Sequence, residues 1–327
     1  MPSPLIITSD ILNLCTEITL LLGKYEGLTL PIPQPELRKH NRIRTIQSSL
    51  AIEGNTLTIE QVTDIVNNKK VLGPKKDILE VKNAIKVYEN LPKYDVESLK
   101  SFLEAHRVLM TGLIKQAGHL RTSNVGVRAG EKIIHMAPPY TRVPSLMDEL
   151  FVFLKKEKSL HPLIKSSAVH YEIEFIHPFI DGNGRIGRLW QSAMLYQYRN
   201  IFEYVPIESV VRKRQQEYYE ALQKSDQQAA ATDFIKFMLE AIHEAVTDFT
   251  KQLRPGRQSA GARLEIFRNK FGKKSFTRKD YLRAHSGLST ATASRDLAFG
   301  VSRKLITRTG DKALTTYQFA RVFDGKY

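Results

Sequence analysis

The sequence contains a single cysteine, Cys15, among its 327 residues. One thiol excludes an intrachain disulfide framework and a thiolate-rich zinc centre. Cys15 lies in an apolar segment and reads as a small buried hydrophobe. No window approaches the roughly 18 uninterrupted apolar residues of a membrane span. Met1-Pro2-Ser3-Pro4-Leu5 sets no basic stretch before an apolar one, so a secretory leader is not expected. The protein is expected to be soluble and cytoplasmic, in a reducing compartment, with no membrane partner. Internal repeats and low-complexity tracts are also lacking, and 42% hydrophobic residues exclude a wholly disordered chain.

Acid is scarce in one region. Residues 251–327 hold 18 Lys+Arg against 5 Asp+Glu, a net of +13, while the first 250 residues carry only +2 of the total +15. The excess belongs to a separate basic module that suits a polyanion. Arg254-Pro255-Gly256-Arg257 and the small polar residues after it predict a linker over 251–261. The expected domains are 1–95, an N-terminal helical region; 96–250, a catalytic core; and 262–327, a C-terminal module.

Upstream of the linker, helical spacing dominates. Ile11, Leu14, Ile18, Leu21 and Leu22 form one stripe; Ile43, Ile46 and Leu50 form another, stopped by Gly54; Phe102, Ala105, Leu109 and Leu113 form a third. Helices are also expected over 146–153, 168–175, from Gly184 to about Tyr198, and over 234–245. Thr58-Ile59-Glu60-Gln61 fits a capping box. Val125–Arg128 and Ile133–Met136 around Ala129-Gly130 predict one short β-hairpin, ended by Pro138-Pro139. The fold is therefore expected to be mainly α.

The most informative stretch is His177-Pro178-Phe179-Ile180-Asp181-Gly182-Asn183-Gly184-Arg185-Ile186-Gly187-Arg188. Gly182, Asn183 and Gly184 precede a helix, so backbone N–H groups and the helix N-terminus form an anion nest. Arg185 and Arg188 stand three apart on its first turn and can reach one anion. Asp181 is a hard oxygen ligand that suits Mg²⁺ bridging phosphates. His177 is placed to take a proton from an attacking hydroxyl. The set suits phosphoryl or nucleotidyl transfer, where catalysis is mostly positioning and charge stabilisation. His161, His170 and His177 lack the spacing of a zinc helix, and His106, beside an apolar stripe, reads as structural.

This stretch resembles the active-site motif of the Fic family, H-x-F-x-[D/E]-G-N-G-R-x-x-R, at all eight specified positions. The turn from Gly118 to Arg121, the hairpin and the Pro138-Pro139 exit resemble the family's flap, and the likeness covers roughly residues 40–250. It implies a Fic-type helical core and Mg²⁺-dependent transfer of AMP from ATP to a Ser, Thr or Tyr hydroxyl of a target protein or of the chain itself. By this resemblance His177 is the general base and Asp181 holds Mg²⁺. Gly182, Asn183, Gly184, Arg185, Gly187 and Arg188 bind the nucleotide phosphates, Arg188 taking the γ-phosphate. The hairpin would clamp a target segment by strand addition. Tyr218-Tyr219 matches a tyrosine pair of many relatives; both read as core aromatics, with Tyr218 the candidate for an adenosine contact.

Ser49-Leu50-Ala51-Ile52-Glu53-Gly54 resembles the family's inhibitory motif, [S/T]-x-x-x-E-[G/N], carried by Ser49, Glu53 and Gly54. The likeness implies that Glu53 forms a bidentate ion pair with Arg188 and holds the enzyme off. Two alternatives stay open: a de-AMPylase, in which Glu53 orients water, and a DNA-binding regulator whose Fic-like part senses ATP.

The basic module predicts a helix over 262–271, a second opened by Thr277, a third capped by Ser289 or Thr290, and a hairpin over 305–317. That order resembles a winged helix-turn-helix, an α+β domain. Its third helix would present Thr290, Thr292, Ser294 and Arg295 to DNA, and its wing would offer Arg308 and Lys312. Winged helices also dock proteins, and homo-oligomerisation is compatible with the reading.

Overall fold

The computed structural model describes residues 3–27, 35–129, 132–252, 260–272, 274–285, 288–311 and 315–320. Residues 1–252 and 253–327 form two compact units.

The first unit is helical. Its elements are α1 (Ser9–Gly27), α2 (Pro35–Ile52), α3 (Ile59–Val66), α4 (Lys75–Glu89), α5 (Leu99–Met110), α6 (Val143–Lys156), α7 (Pro162–Ile176), α8 (Asn183–Tyr198), α9 (Ile207–Lys213), α10 (Gln215–Gln228) and α11 (Thr232–Gln252). The hairpin is β1 (Gly126–Ala129) and β2 (Lys132–Met136), antiparallel, with a register shift between Val127 and Arg128. The expected stripes bury as the 3.6-residue period dictates: Ile11, Ile18 and Leu22 on α1; Ile43, Ile46 and Leu50 on α2; Phe102, Ala105 and Leu109 on α5. Cys15 is buried, and burial pushes its thiol up to about 11. The Thr58 capping box forms: Gln61 N–H donates to Thr58 Oγ1 (3.3 Å) and Thr58 N–H to Gln61 Oε1 (2.9 Å).

α7 and α8 form the centre of this unit. α7 is buried nearly all round, from Leu163 to Ile176, because helices cover it on several sides. α8 packs against it and buries Trp190, which meets Phe102 edge-on with ring centroids 5.1 Å apart. Their junction, residues 177–182, is thereby held between two rigid helices. No helix among the described residues is long and apolar enough to cross a membrane.

The second unit comprises α12 (Ala260–Phe271), α13 (Arg278–Ala284), α14 (Thr290–Ser302) and an antiparallel hairpin of β3 (Ile306–Thr309) and β4 (Thr316–Phe319). Its core joins Leu264, Phe267, Phe276, Tyr281, Leu297, Ile306 and Phe319. Thr277 and Asp280 close a capping box at α13, and Ser289 caps α14 through its hydroxyl on Thr292 N–H at 3.2 Å. The expected linker centre, residues 286 and 287, and Lys312 lie outside the described residues.

Candidate active site

α7 ends at His177, whose backbone is left-handed (φ 50, ψ 59) while its N–H still donates to Ile173 O at 3.0 Å. A non-glycine residue there is strained, and such strain persists only where neighbours enforce it. Arg121 supplies the enforcement. Its guanidinium donates to His177 O (2.8 Å), Ser123 O (2.9 Å) and Pro138 O (2.5 Å), and its own N–H donates to Pro178 O (2.9 Å). One buried cation thus ties the junction to the exit of the hairpin. His177 Nδ1 lies 3.3 Å from Glu174 O. A carbonyl oxygen leaves Nδ1 only the donor role, so in the neutral ring the lone pair sits on Nε2, the tautomer a general base needs.

The loop beyond His177 is equally fixed. Asn183 brackets Phe179, accepting from its N–H and donating to its O, both at 2.9 Å. Phe179 stacks on His106 with centroids 3.5 Å apart. His106 Nδ1 accepts from Gly118 N–H at 3.0 Å, so Nε2–H donates to Asp181 O, also at 3.0 Å. Burial, first of all, brings the His106 imidazole down to about 4, so it stays neutral and holds that tautomer. Gly182 caps α8 at φ 85, where a β-carbon would stand 2.7 Å from Met110 Sδ.

The two arginines do not converge on one anion as their spacing suggested. Arg185 is taken by two acids: NH1 donates to Glu80 Oε1 (2.9 Å) and NH2 to Asp181 Oδ1 (2.8 Å). Arg188 donates from Nε to Ser49 Oγ (3.1 Å), and from NH2 to Ser49 O (2.9 Å) and Glu53 Oε1 (2.8 Å). The Glu53 contact is therefore single rather than bidentate: Glu53 shares NH2 with Ser49 and makes no hydrogen bond to NH1. Arg188 NH1 is buried without a partner. Burial alone would lower Arg188; Glu53, with Tyr218 and Glu174, outweighs it and holds the guanidinium above its ordinary value. Glu53 lies directly over the helix N-terminus: a β-carbon on Gly184 would stand 2.4 Å from Glu53 Oε1. The Glu53-Gly54 turn is closed by Glu53 N–H on Leu50 O (3.0 Å) and Gly54 N–H on Ala51 O (3.1 Å).

Asp181 is exposed, with its side chain 47% accessible at the mouth of this nest. Among the described residues no group of three or more His, Cys, Asp or Glu could hold a metal by itself. A lone outward carboxylate fits Mg²⁺, which takes one or two carboxylates and completes its shell from substrate phosphates and water.

Tyr218 lies in the core. It is 1% exposed, and its hydroxyl lies 3.2 Å from both His170 Nε2 and Glu174 Oε1. It ties α10 to α7 and packs on Phe234 and Phe237 of α11, with no exposed face. Gly187 permits the α7–α8 contact: a β-carbon would stand 2.9 Å from His170 Cδ2. Burial would raise Glu174, but the His170 hydrogen bond and the charges of His177 and Arg188 hold it below the usual carboxylate range.

In the second unit, Thr290 and Arg295 are exposed on α14 and Arg308 on β3. Thr292 is half-buried against the Ser289 hydroxyl (2.9 Å), and Arg278 reaches Ser294 Oγ (3.1 Å). Arg308 faces Asp311 at 3.4 Å.

Sequence reasoning missed Glu80, Asn55 and Arg121 as parts of the site. Glu80 stands 105 residues from Arg185 and belongs to no motif; only the packing of α4 brings it in.

The Fic/DOC family model matches residues 97–195. A crystal structure of a Fic family protein from Desulfovibrio desulfuricans G20 superposes with a TM-score of 0.74 and 39% identity, covering 99% of this chain and 100% of that one. Fic-1 of C. elegans (residues 134–508) shares the fold, with a TM-score of 0.61 and 19% identity over 73% of this chain and 72% of that one. Protein adenylyltransferase Fic of Drosophila grimshawi is 28% identical over 220 residues, 64% of this chain and 43% of that relative. The counterpart in Culex quinquefasciatus is 29% identical over 211 residues, 61% of this chain and 40% of that relative. The chain thus aligns with less than half the length of these curated relatives.

Proposed function

The chain belongs to the Fic family, and from that membership and its site we propose that it is a protein adenylyltransferase, moving AMP from ATP to a Ser, Thr or Tyr hydroxyl. The observation that carries the reading is the arrangement around the first turn of α8: a base in an enforced strained turn, an outward carboxylate, and a buried arginine with one unpartnered nitrogen. His177 Nε2 takes the proton of the acceptor hydroxyl. The hydroxyl oxygen bonds to the α-phosphorus, the α–β phosphoanhydride bond breaks, and pyrophosphate leaves. Asn183 and Arg121 keep the loop in register, the α8 N-terminus binds phosphate oxygens, and Arg185 adds charge. Asp181 would hold Mg²⁺, which would supply charge neutralisation at the phosphates.

In this reading Glu53 is inhibitory. Its carboxylate stands over Gly184 and engages Arg188, so a triphosphate meets a negative charge where its γ-phosphate belongs. A second reading is the reverse reaction, hydrolysis of an AMP–protein ester, in which the exposed edge of the Glu53 carboxylate would orient the water. Mass spectrometry of Glu53→Gly with ATP, Mg²⁺ and a cell extract tests both. AMP added to a hydroxyl is expected; no nucleotide added to any protein, with the variant folded, refutes transfer.

The helix–helix–helix–hairpin order and the charge of +13 over 251–327 support a winged-helix module that contacts a DNA duplex. Thr290 and Arg295 would face the groove, with Arg308 and Lys312 on phosphates. Binding should weaken steeply with salt in a mobility shift; salt-insensitive or absent binding refutes it.

A further inference from the structure

Glu80 is 6% exposed on α4 and uses both carboxylate oxygens. Oε1 accepts from Arg185 NH1 at 2.9 Å, and Oε2 accepts from Asn55 Nδ2 at 2.8 Å. Asn55 closes the turn that carries Glu53: its N–H donates to Leu50 O at 3.1 Å, and its Nδ2 also reaches Asp77 O at 3.2 Å. Asp77 Oδ2 in turn accepts from Thr56 N–H (2.9 Å) and Thr56 Oγ1 (2.7 Å). The turn therefore leans on α4, and α4 holds the arginine beside Asp181.

We infer that Glu80 is a positioning residue that joins the Glu53 turn to Arg185, so that one buried carboxylate both fixes a phosphate-binding guanidinium and anchors the inhibitory segment. The inference rests on the adenylyltransferase reading and adds to it. Three consequences follow from the geometry. Asn55 acts mainly on the Glu53 side, because it touches the turn directly and Arg185 only through Glu80. Glu80 acts on both sides. Its loss should therefore have opposite signs with and without Glu53: it frees the turn in one case and misaims Arg185 in the other. A purely structural carboxylate would lower activity in both.

The test measures Mg·ATP affinity by calorimetry and AMP incorporation for Asn55→Asp and Glu80→Gln, each in the otherwise native chain and in Glu53→Gly. Asn55→Asp sets two carboxylates against each other and should expel the turn. It should raise ATP affinity and incorporation several-fold in the native background, and in Glu53→Gly it should raise the KM for ATP by less than Glu80→Gln does. Glu80→Gln should raise incorporation at saturating ATP in the native background. In Glu53→Gly it should raise the KM for ATP about tenfold with a smaller change in kcat. The inference is overturned if Asn55→Asp leaves ATP affinity unchanged in the native background, or if Glu80→Gln depresses both backgrounds equally with KM unaltered. The affinity readout needs no turnover. If Glu53→Gly transfers no AMP while these affinities move as stated, the adenylyltransferase reading fails and the coupling stands.

Discussion

The two units use cations in opposite ways. In the first, the arginines that matter are buried and held: Arg121 by carbonyls, Arg185 by Glu80 and Asp181, Arg188 by Ser49 and Glu53. In the second, Arg295 and Arg308 are exposed, while Arg263 is drawn into the fold, with Asp296 at 2.5 Å. A net of +2 over the first 250 residues thus accompanies a precisely aimed cationic site, while +13 over 251–327 accompanies a diffuse surface. Net charge speaks to what a unit attracts; burial and pairing speak to what it can do to a bound group.

The comparison can be broken at several points, beginning with the largest effect. His177→Ala in the Glu53→Gly background should reduce AMP transfer by about 10²–10⁴-fold while leaving calorimetric ATP binding within about twofold. Asp296→Ala, which removes the buried carboxylate bonded to Arg263 and the acceptor for Tyr281 (3.2 Å), should destabilise the second unit by about 3–5 kcal/mol, read from denaturant unfolding. His106 sharpens the contrast through pH. Its folded value of about 4 lies below its unfolded 6.5, so its contribution is complete above 6.5 and is lost as pH falls from there toward 4. About 3 kcal/mol of stability should fade across that window in the native chain, and the pH dependence should flatten in His106→Gln. At the small end, Arg308→Ala should lower the salt slope of DNA binding by about one without touching AMP transfer.

The residues of the site differ in how far a sequence can reveal them. The 177–188 stretch is legible because base, carboxylate, nest and arginines share one turn and one helix start, so local geometry nearly fixes their arrangement. The capping boxes at Thr58 and Thr277 are legible for the same reason. Ser49 and Glu53 are legible only by likeness, and even then the pairing differs: Arg188 spends two bonds on Ser49 and one on Glu53. Arg121 and Glu80 carry no local signal, since their partners lie 56 and 105 residues away in sequence. A tyrosine pair looks the same in sequence whether it lines a pocket or fills a core; Tyr218 is buried among His170, Glu174 and Phe234.

The central claim is that the α7–α8 junction transfers AMP and that Glu53 holds it off through Arg188. The most direct measurement follows label from ATP labelled at the α-phosphate into protein, using the native chain, Glu53→Gly, and Glu53→Gly with His177→Ala, all with Mg²⁺ and cell extract. Loss of one charge-assisted hydrogen bond, about 1.5–3 kcal/mol, predicts incorporation roughly 10–100-fold above native for Glu53→Gly and background for the double variant. Equal incorporation by the native chain and Glu53→Gly, or label that survives loss of His177, would contradict the account.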